Sequence, residues 1–163
     1  MSKVKLYVVL FLLFLLERVF FARVEIFGLT PWVVYTFLLV YAALCADFFF
    51  VAAVSVAVGA ICDLTGGGAV GSAITVFAFS AAAMNLLTHR VLNNGYIITV
   101  LLTIPVSIAG ELFYFYLNRG GVLHFSLGSI FGNIVLLLTL LNTVFAILLY
   151  PLAKKISKGG SVI

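Results

Sequence analysis

Apolar residues run along this chain in long, unbroken blocks rather than in alternation. Residues 6–16 and 134–141 are apolar on every face. Outer-membrane strands alternate apolar and polar positions with period two, so these blocks exclude a β-barrel and point to spanning helices. Six blocks emerge, approximately 5–22, 31–46, 48–62, 71–87, 96–117 and 127–150, separated by short polar or glycine-rich turns. The predicted fold is an all-α, six-helix transmembrane bundle forming a single domain over residues 1–163.

Three points fix the segmentation. Lys3 and Lys5 precede the apolar run that starts at Leu6, as they would in a secretory signal, but no small-x-small cleavage site follows, so the first span is expected to be retained. Pro31 opens the second span, where its missing N–H has no helical partner to lose. The block 31–62 would measure about 48 Å as one helix, against about 30 Å of hydrocarbon. Splitting it at Asp47 resolves the length and places both termini on one side. That side then gathers Lys3, Lys5, Arg90, Lys154, Lys155 and Lys158, against Arg23 and Arg119 opposite. By the positive-inside tendency, it is the cytoplasm. Pro105 lies inside the fifth span and is expected to kink it; Pro151 is expected to end the sixth.

Composition agrees with the pattern. Hydrophobic residues make up 65% of the 163 and charged residues 9%, with a mean hydropathy of +1.33. A soluble domain carries about 25% charged residues; too few are present here to wet a globule. The net charge of +4 would suggest a nucleic-acid partner in a soluble chain, but the basic residues sit at segment ends, where orientation requires them. No nucleic acid is therefore expected, and lipid is the first partner. Cys45 and Cys62 form no C-x-x-C pair and read as small buried hydrophobes.

Ionisable groups within spans are costly and mark candidate sites. Glu17, beside Arg18, is explained by snorkelling and a local charge partner, and Asp47 by a turn. Glu111 lies about 9 Å from the outer end of its span, and either packs inward against a polar partner or meets another protein. Asp63 has the richest setting. Ser55, Gly59 and Asp63 recur every fourth residue, so one face of the third span is small and ends in a carboxylate. Gly66, Gly67, Gly68 and Gly71 follow. Two readings stand: a partner interface, or tight helix packing with Asp63 capping the next helix. The loop lacks the G-K-[ST] ending of a phosphate-cradling P-loop. Gly128 and Gly132 form a G-x-x-x-G pair at the start of the sixth span, suited to helix packing. Asn85, Asn133 and Asn142 are candidates for interhelical hydrogen bonds. His89 and His124 fall on opposite sides of the membrane, so no metal centre is expected, and no Ser, His and acid set converges. No catalytic residue, metal or cofactor is expected.

Over residues 30–71 the chain resembles MreD, the bacterial rod-shape-determining membrane protein family. The resemblance lies in Pro31-Trp32 opening a span, Tyr41 late in it, a tight turn, Gly59-x-x-x-Asp63, the glycine-rich loop and Gly71 entering the next helix. Gly66-Gly67-Gly68 and Asp47 depart from that pattern. The resemblance implies a multi-pass protein of the bacterial plasma membrane, with a non-enzymatic scaffolding role in cell elongation. Its implied partners are MreC, a single-span protein, and MreB filaments, RodA and a class B penicillin-binding protein, so that the cytoskeleton is coupled to peptidoglycan synthesis. It also implies a fold similar to the substrate-binding subunits of energy-coupling-factor transporters. That similarity gives the alternative function, a small-solute-binding membrane subunit. A proton-coupled carrier using Glu111 and Asp63 ranks third, because no internal repeat is visible.

Overall fold

The computed structural model describes residues 2–21, 32–66, 69–91, 95–118 and 135–158. Pro31, Gly67, Gly128, Gly132 and His124 lie outside them. Six helices follow in order among the described residues, with no strand: α1 (Ser2–Leu15), continued by a π-helical turn (Leu16–Phe21); α2 (Val33–Leu44); α3 (Phe48–Thr65); α4 (Ser72–Leu86), continued by a second π-helical turn (Leu87–Val91); α5 (Tyr96–Asn118); and α6 (Leu136–Lys158). Four of them, α3, α4 with its extension, α5 and α6, are long and apolar enough to cross a bilayer. This is an all-α membrane bundle.

The shortest of these six helices is the centre of the described bundle. Every residue of α2 from Val33 to Ala43 is buried, because its sequence is apolar on all faces and every other helix packs against it. Its 12 residues span only about 18 Å, so its ends fall short of both edges of a hydrocarbon layer about 30 Å thick. Unmet backbone groups there cost several kcal/mol each. Side chains from other helices meet them. At the start, the Val34 N–H donates to Glu17 Oε2 at 2.8 Å. At the end, Asn85 Nδ2 donates to the Ala42 and Cys45 carbonyls at 2.8 and 2.6 Å, and Ser157 Oγ donates to the Leu44 carbonyl at 2.9 Å.

Polarity is arranged inside out. The buried residues of α5 are Thr99, Thr103, Val106, Ser107, Gly110 and Glu111, while Ile97 and Leu101 face outward. On α6, Asn142 and Ala146 are fully buried, whereas Leu140, Val144 and Leu148 are exposed. Such helices keep their apolar side chains for lipid and use small or polar ones to reach each other.

One detail departs from the sequence expectation. Helix α6 does not stop at Pro151 but continues to Lys158. The missing proline N–H costs one bond, and the last turns are held by burial of Ala153 and Ile156 and by the Ser157 bond to α2. Tyr35, Tyr41 and Tyr150 sit near helix ends and are buried in the core. Around the start of α2, Trp32 meets Tyr35 and Tyr114 edge-to-face, with ring centroids 5.5 and 4.6 Å apart. The break between α2 and α3 is closed by Asp47, whose carboxylate accepts from the Phe50 N–H at 3.0 Å, an N-cap that stops one helix and starts the next.

Gly71 precedes α4 with φ +91°, a left-handed conformation that costs other residues about 1–2 kcal/mol. A Cβ there would meet nothing within 4 Å, so Gly71→Ala isolates backbone strain. The variant is expected to lower stability by about 1 kcal/mol in chemical unfolding of the purified protein, and Gly71→Asn, which tolerates this region, to recover part of the loss.

Candidate functional site

Two groups of residues concentrate the polar chemistry. The first joins α3 to α4. Ser55, Gly59 and Asp63 share one face of α3, as their spacing dictates, and that face lies on α4. A Cβ at Gly59 would stand 2.6 Å from Ile74 Cα and 2.9 Å from the Ala73 carbonyl oxygen, so only glycine lets these two backbones touch. One turn later Asp63 closes the contact. Its Oδ2 accepts from the N–H groups of Gly71 at 3.0 Å and Ile74 at 3.1 Å. Its Oδ1 accepts from Ala73 N–H at 2.9 Å and Ser72 Oγ at 3.4 Å. A carboxylate from a neighbouring helix thus satisfies the free donors of the first turn of α4, where the helix dipole favours negative charge. Of the two readings of Asp63, the structure displays the cap.

Beside this joint, adjacent residues of opposite sign serve opposite helix ends. Glu17 meets the start of α2, and Arg18 Nη2 donates to the Cys62 carbonyl in the last turn of α3 at 3.3 Å. Each charge complements the dipole it faces, a more specific role than snorkelling. Both cysteines are free thiols; Cys62 is buried and Cys45 half-buried.

The second group lies in the interior, where α2, α4, α5 and α6 converge. Glu111 on α5 is fully buried. Its Oε1 accepts from Asn142 Nδ2 at 2.8 Å and its Oε2 from Thr139 Oγ1 at 3.4 Å, both on α6. The carboxylate therefore packs inward against polar partners, and both partners are neutral. Gly110 beside it makes room for the α2 and α4 side chains: a Cβ there would overlap the Tyr35 hydroxyl and stand 2.9 Å from Ser80 Oγ. The Tyr35 hydroxyl donates to the Val106 carbonyl at 3.4 Å. Two atoms of the group, Ser107 Oγ and Asn142 Oδ1, are buried with no hydrogen-bond partner.

Much of this group was not read from the sequence. Thr99, Thr103, Ser107 and Glu111 recur every fourth residue of α5, the same signal used for Ser55, Gly59 and Asp63, and this polar row marks the inner face of α5. Tyr35 carried no such signal, since nothing in its spacing marks the place beside Gly110 that its hydroxyl occupies. Among the described residues no three or more His, Cys, Asp or Glu side chains form a metal-binding group.

No family model, curated protein or solved structure matches this chain. Helix length, hydropathy and inside-out polarity define its class: an α-helical, multi-pass membrane protein.

Proposed function

We propose that the chain is a non-enzymatic membrane scaffold of the MreD type, working in the bacterial plasma membrane with six passes and both termini cytoplasmic. In this reading it binds an MreC-like single-span protein and helps couple MreB filaments to RodA and a class B penicillin-binding protein. The observation that carries it is the pattern over residues 30–71, from Pro31-Trp32 through Gly59-x-x-x-Asp63 to Gly71. In support, Gly59, Asp63 and Gly71 work as one joint that fixes α3 on α4, a rigid hairpin suited to presenting a docking surface. Gly59 and Glu111 are taken up by contacts inside the chain, so a partner's spanning helix would be received by lipid-facing side chains. The lysine-bearing end of α6 would meet anionic headgroups or cytoplasmic partners.

Affinity purification from native membranes tests the proposal. The expected co-purifying proteins are a coiled-coil, single-span protein and peptidoglycan synthases. Recovery of paired ATPases with a tightly bound vitamin would instead establish the solute-binding subunit, in whose favour stand the buried oxygens of α5 and α6. Asp63→Asn is expected to insert normally but to recover several-fold less partner. Unchanged recovery and normal cell shape would confine Asp63 to holding α4.

A further inference from the structure

The interior group around Glu111 contains more oxygen than its hydrogen bonds use. Glu111 places a carboxyl group in the middle of a lipid-facing bundle, and the groups that reach it are an amide and a hydroxyl. Tyr35 from α2 and Ser80 from α4, gathered at the adjacent Gly110, are also uncharged. Ser107, one turn earlier on the same face of α5, is 1% exposed with its hydroxyl unpartnered. Asn142 is 0% exposed, and its amide oxygen is unpartnered although its nitrogen reaches the carboxylate. A half-turn of that amide would present the oxygen to the same point. Buried oxygens left without a donor are costly, and an uncompensated buried charge costs more.

We propose that Glu111, Asn142, Thr139 and Ser107 form a binding site for one desolvated monovalent alkali cation, with sodium as the probe, between α5 and α6. The donor set decides the class. Every atom is a hard oxygen, the kind that alkali and alkaline-earth cations take, with no imidazole or thiolate to favour a transition metal. Charge decides the valence: one carboxylate neutralises one monovalent ion, whereas a divalent ion would leave a net positive charge in the bundle. The orphaned oxygens decide against the two simpler occupants. A proton on Glu111 would cancel the charge and, with the amide turned, could be donated to Asn142 Oδ1, but would leave Ser107 Oγ without a donor. A water molecule would satisfy those oxygens but leave the charge. A monovalent alkali cation meets both demands, and in doing so ties α5 to α6.

The site is independent of the scaffold reading, because its test uses the purified chain with no partner present. Unfolding midpoints in detergent are compared in sodium chloride and choline chloride at equal ionic strength. Sodium is expected to raise the midpoint saturably, by at least about 3 °C. Ser107→Ala is expected to keep a folded protein but raise the half-saturating sodium concentration several-fold, and Glu111→Gln to abolish the shift. Equal midpoints in sodium and choline overturn the site, as does a sodium response that Ser107→Ala leaves unchanged. If Glu111→Gln does not fold, the unsubstituted protein and Ser107→Ala decide the matter.

Discussion

Replacing Gly59 with leucine is expected to abolish the folded state rather than weaken it. The added Cβ would fall 2.6 Å from the Cα of Ile74 and 2.9 Å from its nitrogen. These are backbone atoms, so no rotamer change can relieve the overlap. Nor can α4 slide away, because the N–H groups of Ala73 and Ile74 are held by the Asp63 carboxylate. Overpacking in a well-packed core costs about 1–3 kcal/mol; against a pinned backbone and with three further carbons, more than about 3 kcal/mol is expected. Size-exclusion chromatography of detergent-extracted protein should show loss of the monodisperse peak. Ala57→Leu, at an exposed position two residues earlier on the same helix, should keep it. A monodisperse Gly59→Leu protein of ordinary stability would mean that α3 and α4 do not meet as described.

A second large effect is expected at Gly110, and here the remedy is specific. An alanine methyl would overlap the Tyr35 hydroxyl and stand 3.1 Å from Tyr35 Cζ, forcing α5 away from α2. Gly110→Ala should therefore destabilise by about 2–3 kcal/mol. Tyr35→Phe alone forfeits the hydroxyl's bond to the Val106 carbonyl, about 0.6 kcal/mol for an interhelical hydrogen bond in a membrane. The double variant should be more stable than Gly110→Ala alone, with a coupling of at least about 1 kcal/mol in a double-mutant cycle of chemical unfolding. Strict additivity would show that the two residues do not share this space.

Hydropathy made the helices legible, because a spanning segment is defined by composition more than by detail. The break at Asp47 was legible for a related reason: a lone carboxylate between apolar runs has to reach a helix end. Four-residue spacing exposed the α3 face that holds Gly59 and Asp63, yet spacing is silent about what the face touches. Partner docking and capping place the same residues at the same interval. The centrality of α2 was harder to see. Twelve apolar residues look like a poor span when taken alone, and their burial depends on Glu17, Asn85 and Ser157, which lie 17, 43 and 113 residues from their bonding partners. Pro151 misled for a local reason, since helix-breaking propensity was overridden by burial beyond it. The row from Thr99 to Glu111 was legible in principle, and asks only that polar spacing be read for α5 as it was for α3.

The capping of α2 also bears on how the protein is made. This helix is made before α3 to α6, but it is too short to be a stable lipid-embedded segment by itself, and its last carbonyls await Asn85 and Ser157. Those residues are translated about 40 and 110 positions later. The centre of the bundle is therefore its last part to mature. Until the end of α6 arrives, α2 needs shelter at the insertion machinery or at the membrane surface, so the core closes only once α6 has been made.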